Sequence, residues 1–215
     1  MKRVLVGLAA LVTIAAAAAF AQPKEAIDIT DAQIKEVLKF APPAVDQTLK
    51  VIDMGNYQLS VAIIHRGPTG APAAGRGGAG AGKAAATPAE PCGLTSMPAG
   101  AKASGAGGIA HDDTVETYVV VSGGGTLITG GEILNGRRSP ADSEVTKILN
   151  GPSCSGRIVG NFVTRKIGVG DVIVIPEGVP HGFTEITDHI DYLSIRPDQK
   201  KVLEHGYVNP HLPKT

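Results

Sequence analysis

The chain has 215 residues with 20 basic and 20 acidic side chains, so its formal charge is zero at pH 7. That argues against the broad basic surface used in sequence-independent nucleic-acid binding, and 4% aromatic content without tryptophan argues against base-stacking platforms. About 200 residues suit one domain, and 43% hydrophobic content is enough for a core.

Residues 1–21 read as a signal peptide. Lys2 and Arg3 form a positive start, Val4 to Phe20 is apolar, and Ala19-Phe20-Ala21 is a small-x-small cleavage pattern before Gln22. The run is diluted by alanine and short for a membrane span. The expectation is an exported chain, periplasmic or secreted, with no stable membrane span after cleavage. Export bears on the only two cysteines. In an oxidising compartment Cys92 and Cys154 are expected to form a disulfide, closing a loop worth about 4 kcal/mol. The alternative is two free thiols or soft-metal ligands, but they lack CxxC spacing.

The segment 22–47 is expected to be helical in part. Thr30-Asp31-Ala32-Gln33 is a capping-box pattern, and Ile34, Val37 and Leu38 follow at helical spacing, which predicts a helix over 31–40. Pro42-Pro43 ends it. Residues 48–66 read as two strands. In the second, Tyr57, Leu59, Val61 and Ile63 alternate with Gln58, Ser60 and Ala62, which predicts a half-buried strand with the first set inward. His65 continues that parity.

Between 67 and 108 the chain carries 12 Gly, 13 Ala and 5 Pro, so a flexible insertion is expected there. Short strands resume from Ile109, through 116–121, 126–129, 157–166, 171–175, 183–186 and 190–195. Glycine turns at 123–125 and 130–131 and a polar loop over 136–156 separate them. Turn signals at roughly 8–12-residue spacing predict an all-β barrel or sandwich. No helix pattern interrupts the strands, which excludes a βαβ sheet. No phosphate-binding loop opens a helix, and no Ser-His-Asp arrangement is legible. The tail, 201–215, contains His205 and His211, read as surface or dimer-contact residues.

Two segments bring metal-binding residue types to strand edges beside glycine turns. They are His111-x4-Glu116-x6-Gly123 and Gly170-x5-Pro176-x-Gly178-x2-His181. They resemble the two signature motifs of the cupin family. The second matches its full Gly-x5-Pro-x-Gly-x2-His form, departing only at Glu185, where the family usually shows Asn. In the first, His111 stands at the second His position and Ile109 at the first. The resemblance spans about 105–196. It implies a single small antiparallel β-barrel over 109–200, of the double-stranded β-helix or jelly-roll type. It also implies a homodimer and one divalent first-row metal ion (Fe, Mn or Zn) held by His111, Glu116 and His181.

Two imidazoles and one carboxylate with open positions suit Fe(II)–oxygen chemistry, or a Lewis-acid ion with bound water. His65 and Asp113 are candidate extra ligands. Tyr118 and Val120 follow Glu116 on its strand face and are expected to line the pocket. Gly123, Gly170, Pro176 and Gly178 are expected to set the turns. Two functions fit: a metal-dependent enzyme on a small organic molecule (dioxygenase, isomerase or lyase type), or a non-catalytic small-ligand binder.

Overall fold

The computed structural model describes residues 22–41, 45–70 and 89–213. The expected signal peptide and the centre of the insertion lie outside the described residues. Helix α1 spans Asp31–Leu38, and its capping box is reciprocal. Gln33 N donates to Thr30 Oγ1 at 3.2 Å, and Thr30 N donates to Gln33 Oε1 at 2.9 Å. The strands are β1 (Asp46–Asp53), β2 (Gln58–Arg66), β3 (Pro91–Cys92), β4 (Ala103–His111), β5 (Glu116–Arg138), β6 (Ser153–Gly168), β7 (Val172–Ile175), β8 (His181–Glu185) and β9 (Ile190–Asp198).

All named pairings are antiparallel. One side runs β1-β2-β9-β5-β7. The other runs β5-β6-β4-β8, and β8 returns to pair with β5. Strand β5 belongs to both, so the two sides share one long ribbon and enclose an interior. This is the all-β barrel expected from the strand spacing, with one short α-helix outside it among the described residues.

Strand β5 corrects two of the expected turns. It runs 23 residues without a break, through Gly123–Gly125 and Gly130-Gly131. Pairing shifts register between Val120 and Ser122 against β9, and between Gly130 and Glu132 against β6. The glycines are bends inside a strand, because positive φ at Gly123, Gly130 and Gly131 lets one strand pass from one side of the barrel to the other. The polar loop expected over 136–156 is also shorter. It contains the end of β5, a π-helical turn over Val145–Leu149 and the start of β6. Likewise the insertion is not uniformly unstructured, for β3 lies within 67–108 and β4 begins there. The glycines of β4 hid it from an apolar-period reading.

The facing of β2 is inverted relative to the alternation. Gln58, Ser60, Ala62 and Ile64 are the buried set, and Ala62 and Ile64 pack in the barrel core with Tyr118, Val120 and Tyr192. Ile63 lies on the outer face, in a second cluster with Val37 of α1, Leu49 and Leu212, against which Val61 packs. Helix and tail cover the outside of the sheet, so both faces are dry. Periodicity separates two faces but does not say which one is the barrel interior. Cys92 and Cys154 are bonded, with Cα atoms 6.0 Å apart, tying β3 to β6.

Candidate metal centre

Three strands deliver the motif side chains to one point. His111 ends β4, Glu116 begins β5 and His181 begins β8. Gly178, at φ +70°, forms the turn before His181, and its N–H donates to the carbonyl of His111 at 2.7 Å. The turn that carries the last ligand is thus pinned to the first. His111, Glu116 and His181 are all buried, and their candidate ligand atoms lie within 4.8 Å of one another. Glu116 Oε2 is 3.2 Å from His111 Nε2 and 3.1 Å from His181 Nε2.

The hydrogen bonds decide which ring nitrogens are bare. His181 Nδ1 is 3.0 Å from the carbonyl of Val179, which can only accept, so Nδ1 carries the proton. Ser153 Oγ spends its own proton on the carbonyl of Gly151 at 2.9 Å and lies 2.8 Å from His111 Nδ1. It therefore accepts from that nitrogen. The proton on Nδ1 leaves Nε2 as the lone-pair nitrogen of the neutral form of each ring, and both Nε2 atoms face the same carboxylate oxygen. Burial pushes the His111 imidazole below its ordinary value, against the pull of Glu116, and keeps it neutral. Two side chains donate to these atoms, Tyr118 Oη to Glu116 Oε2 at 2.9 Å and, at the outer limit, Asn150 Nδ2 to His111 Nε2 at 3.5 Å. A cation bound between the three ligand atoms would offset the convergence of their lone pairs.

The other oxygen of Glu116 is fully engaged. Arg196 Nε donates to Oε1 at 2.7 Å and Ser194 Oγ at 2.9 Å. Burial opposes ionisation of Glu116. Arg196 is the chief group that overcomes it and holds the carboxyl well below its usual range. Arg196 is itself 1% exposed. Its Nη2 donates to Asp46 Oδ2 at 2.7 Å and its Nη1 to the carbonyl of Leu149 at 3.0 Å. A buried guanidinium between two carboxylates is a compensated charge. The carboxylate is thereby left with one oxygen, Oε2, to offer inward.

The two separations from Glu116 to the histidines fit a divalent ion. Bonds of about 2.1 Å give ligand–ligand edges of about 3.0 to 3.4 Å in octahedral or tetrahedral geometry. The observed separations of 3.1 and 3.2 Å fall in that range. The polar partners at both Nδ1 atoms are of the kind that orient metal-ligating imidazoles.

Other expected site residues fall as follows. Tyr118 is beside the cluster, and its phenol is pushed well above its ordinary value, by burial and then by Glu116. Val120 faces the same interior. His65 is not brought to the centre. It points out of the barrel, with Nδ1 2.6 Å from Asp191 Oδ1. Asp113 is not brought there either, and pairs with Lys200 at 2.5 Å. Ile109, at the position of the absent imidazole, pairs across β4–β8 with His181.

Sequence reasoning missed Arg196, Ser194, Asp46 and Asn150. For the first two a signal existed, because period two places Ile190, Tyr192, Ser194 and Arg196 on one face of β9. It also missed a chain from Ser122 Oγ to His189 Nε2, 2.8 Å, and from His189 Nδ1 to Asp188 Oδ2, 2.7 Å. The Asp188 side chain is 90% exposed, so water competes for it and the chain is a turn contact, not a preset nucleophile.

No family model and no curated protein matches the chain. Similar solved structures include an uncharacterised Klebsiella pneumoniae protein with a double-stranded β-helix domain. It is 12% identical, with TM-score 0.38, over 82% of this chain and 94% of that one. A Bacillus halodurans protein is 12% identical, with TM-score 0.38, over 88% and 92%. The Fe(II) form of HppE is 14% identical, with TM-score 0.29, over 69% and 49%. At these identities the likeness says nothing about chemistry. Among the described residues, no helix is long and apolar enough to cross a membrane.

Proposed function

We propose that this is an exported cupin-type protein that holds one divalent first-row metal ion, Fe, Mn or Zn, at His111, Glu116 and His181. On this reading it is a metal-dependent enzyme acting on a small organic molecule, of dioxygenase, isomerase or lyase type. The observation that carries the reading is the convergence of two buried imidazole Nε2 atoms on Glu116 Oε2 at 3.2 and 3.1 Å. A metal ion there supplies Lewis acidity, and a redox-active ion also supplies electron transfer to dioxygen. The chain's own part is to orient. Ser153 and the Val179 carbonyl fix the two rings, and Arg196 fixes the carboxylate. Tyr118 keeps its proton and donates beside the ligands. The apolar barrel wall keeps bulk water out.

The alternative is a non-catalytic small-ligand binder. The side chains of His111, Glu116 and His181 are only 1–4% exposed, so in either reading a small molecule reaches them only if the wall opens. Export rests on the pattern at 1–21, and the Cys92–Cys154 bond supports an oxidising compartment. A homodimer is supported by β7, an edge strand whose Val172 and Val174 are exposed apolar side chains.

The test is the metal content of residues 22–215, purified without a polyhistidine tag, beside His181→Ala. Near-stoichiometric metal that disappears in the variant supports the reading. No metal in either protein, even after reconstitution, removes it. Light scattering tests the dimer, and the mass of the secreted chain tests cleavage before Gln22.

A further inference from the structure

Asn150 follows the π-helical turn and is 3% exposed. Its backbone is tied down, since Thr114 Oγ1 donates to its carbonyl at 3.0 Å. Its side chain reaches two of the three candidate ligands. Nδ2 lies 3.4 Å from Glu116 Oε1 and 3.5 Å from His111 Nε2. Both distances are at the outer limit of a hydrogen bond. The other end of the amide fares worse, for Asn150 Oδ1 is buried with no hydrogen-bond partner. A buried carbonyl oxygen without a partner costs about 1–3 kcal/mol. The amide therefore makes two weak contacts through its nitrogen and leaves its better ligand atom unused.

A half-turn of the carboxamide exchanges the two ends. The oxygen then stands where Nδ2 is, 3.5 Å from His111 Nε2, close to the edge length of a tetrahedral site with bonds of about 2.1 Å. Without a cation the nitrogen faces Glu116, because an oxygen there meets carboxylate oxygens and a lone pair. With a cation the preference reverses, since a carbonyl oxygen is a metal donor and an amide N–H is not.

We infer that Asn150 is a fourth metal donor, binding through Oδ1 to the same divalent ion as His111, Glu116 and His181. This rests on the metal reading above and deepens it. The centre becomes two imidazoles, one carboxylate oxygen and one amide oxygen. The π-helical turn between β5 and β6 becomes part of the metal site.

Co(II) titration tests it, because its visible bands report the number and type of donors. Unaltered protein, Asn150→Leu and Asn150→Asp are compared, after the unfolding midpoint of each metal-free form has been measured. Asn150→Leu is expected to weaken Co(II) binding by at least roughly tenfold, the least that even an outer partner of a ligand is worth, and to change the bands. Asn150→Asp separates the roles. As an oxygen donor, Asp keeps Co(II) affinity at or above the unaltered level, while the metal-free form loses stability from a carboxylate facing Glu116. If Asn150 acts only by donating its N–H to Glu116, Asp weakens both. Should Asn150→Leu not fold, the Asp variant decides. Equal affinity and unchanged bands in Asn150→Leu, or weakened binding in Asn150→Asp, would overturn this inference and leave the metal reading standing. Failure of the unaltered protein to bind Co(II) would overturn both.

Discussion

Arg196 Nε donates to Glu116 Oε1 at 2.7 Å, and the remaining oxygen of that carboxylate meets both motif histidines. The register explains the pairing. Thr117 of β5 lies opposite Ile195 of β9, so the preceding residue of one strand meets the following residue of the other. Asp46 of β1 takes the far side of the guanidinium.

Removing the arginine strands two buried carboxylates. Arg196→Met is expected to cost the metal-free protein about 3–5 kcal/mol. Lys at the same position is not expected to restore it, because one ammonium cannot bridge Glu116, Asp46 and the Leu149 carbonyl together. Urea unfolding measures this. A loss below about 1 kcal/mol would show that the network is not held as described.

Stability of the metal-free protein is expected to fall with pH. The His111 imidazole is held below its ordinary value, first by burial. Burial opposes ionisation of the Glu116 carboxyl, but Arg196 holds it well below its range. In each case the unfolded chain takes up its proton at a higher pH than the folded chain does. Stability is therefore lost below about pH 6.5 through His111, and further below about pH 4.3 through Glu116. An unfolding midpoint that rises as pH falls between about 7 and 5 would contradict this assignment.

Reduction of the Cys92–Cys154 bond, which joins residues 62 apart, is expected to cost about 4 kcal/mol. Cys154 neighbours Ser153, whose hydroxyl orients His111. Reduced protein is therefore also expected to bind metal more weakly. Thermal scans with and without dithiothreitol check the first effect, and metal titration of the reduced protein checks the second. Unchanged thermal midpoints would rule the first out.

Two motif glycines are expected to differ. At Gly123, φ is +64° and an added Cβ would lie 2.0 Å from the carbonyl oxygen of His189. Ala there adds overpacking to left-handed strain and should cost more than about 2 kcal/mol. At Gly170, φ is +91° but the space is open, so Ala should cost only the backbone strain, about 1–2 kcal/mol. Equal midpoints for the two variants would show that the strand bend at Gly123 can relax.

Local chemistry determined what local chemistry can. The capping box at Thr30 set the start of α1, period two and turn residues set an all-β fold, and the motif spacing singled out His111, Glu116 and His181. The bond between Cys92 and Cys154 also followed from there being only two cysteines in a chain read as exported. Tertiary structure decided the rest. Alternation in β2 could not reveal which face is the interior, because α1 and Leu212 cover the other one. Glycines that read as turns became bends, because β5 is paired along its length on both sides of the barrel. The partners of Glu116 come from residues as far away in sequence as Arg196 and Asn150. Which oxygen of Glu116 stays free depends on contacts between strands and loops far apart in the chain, and only the closed barrel brings those together.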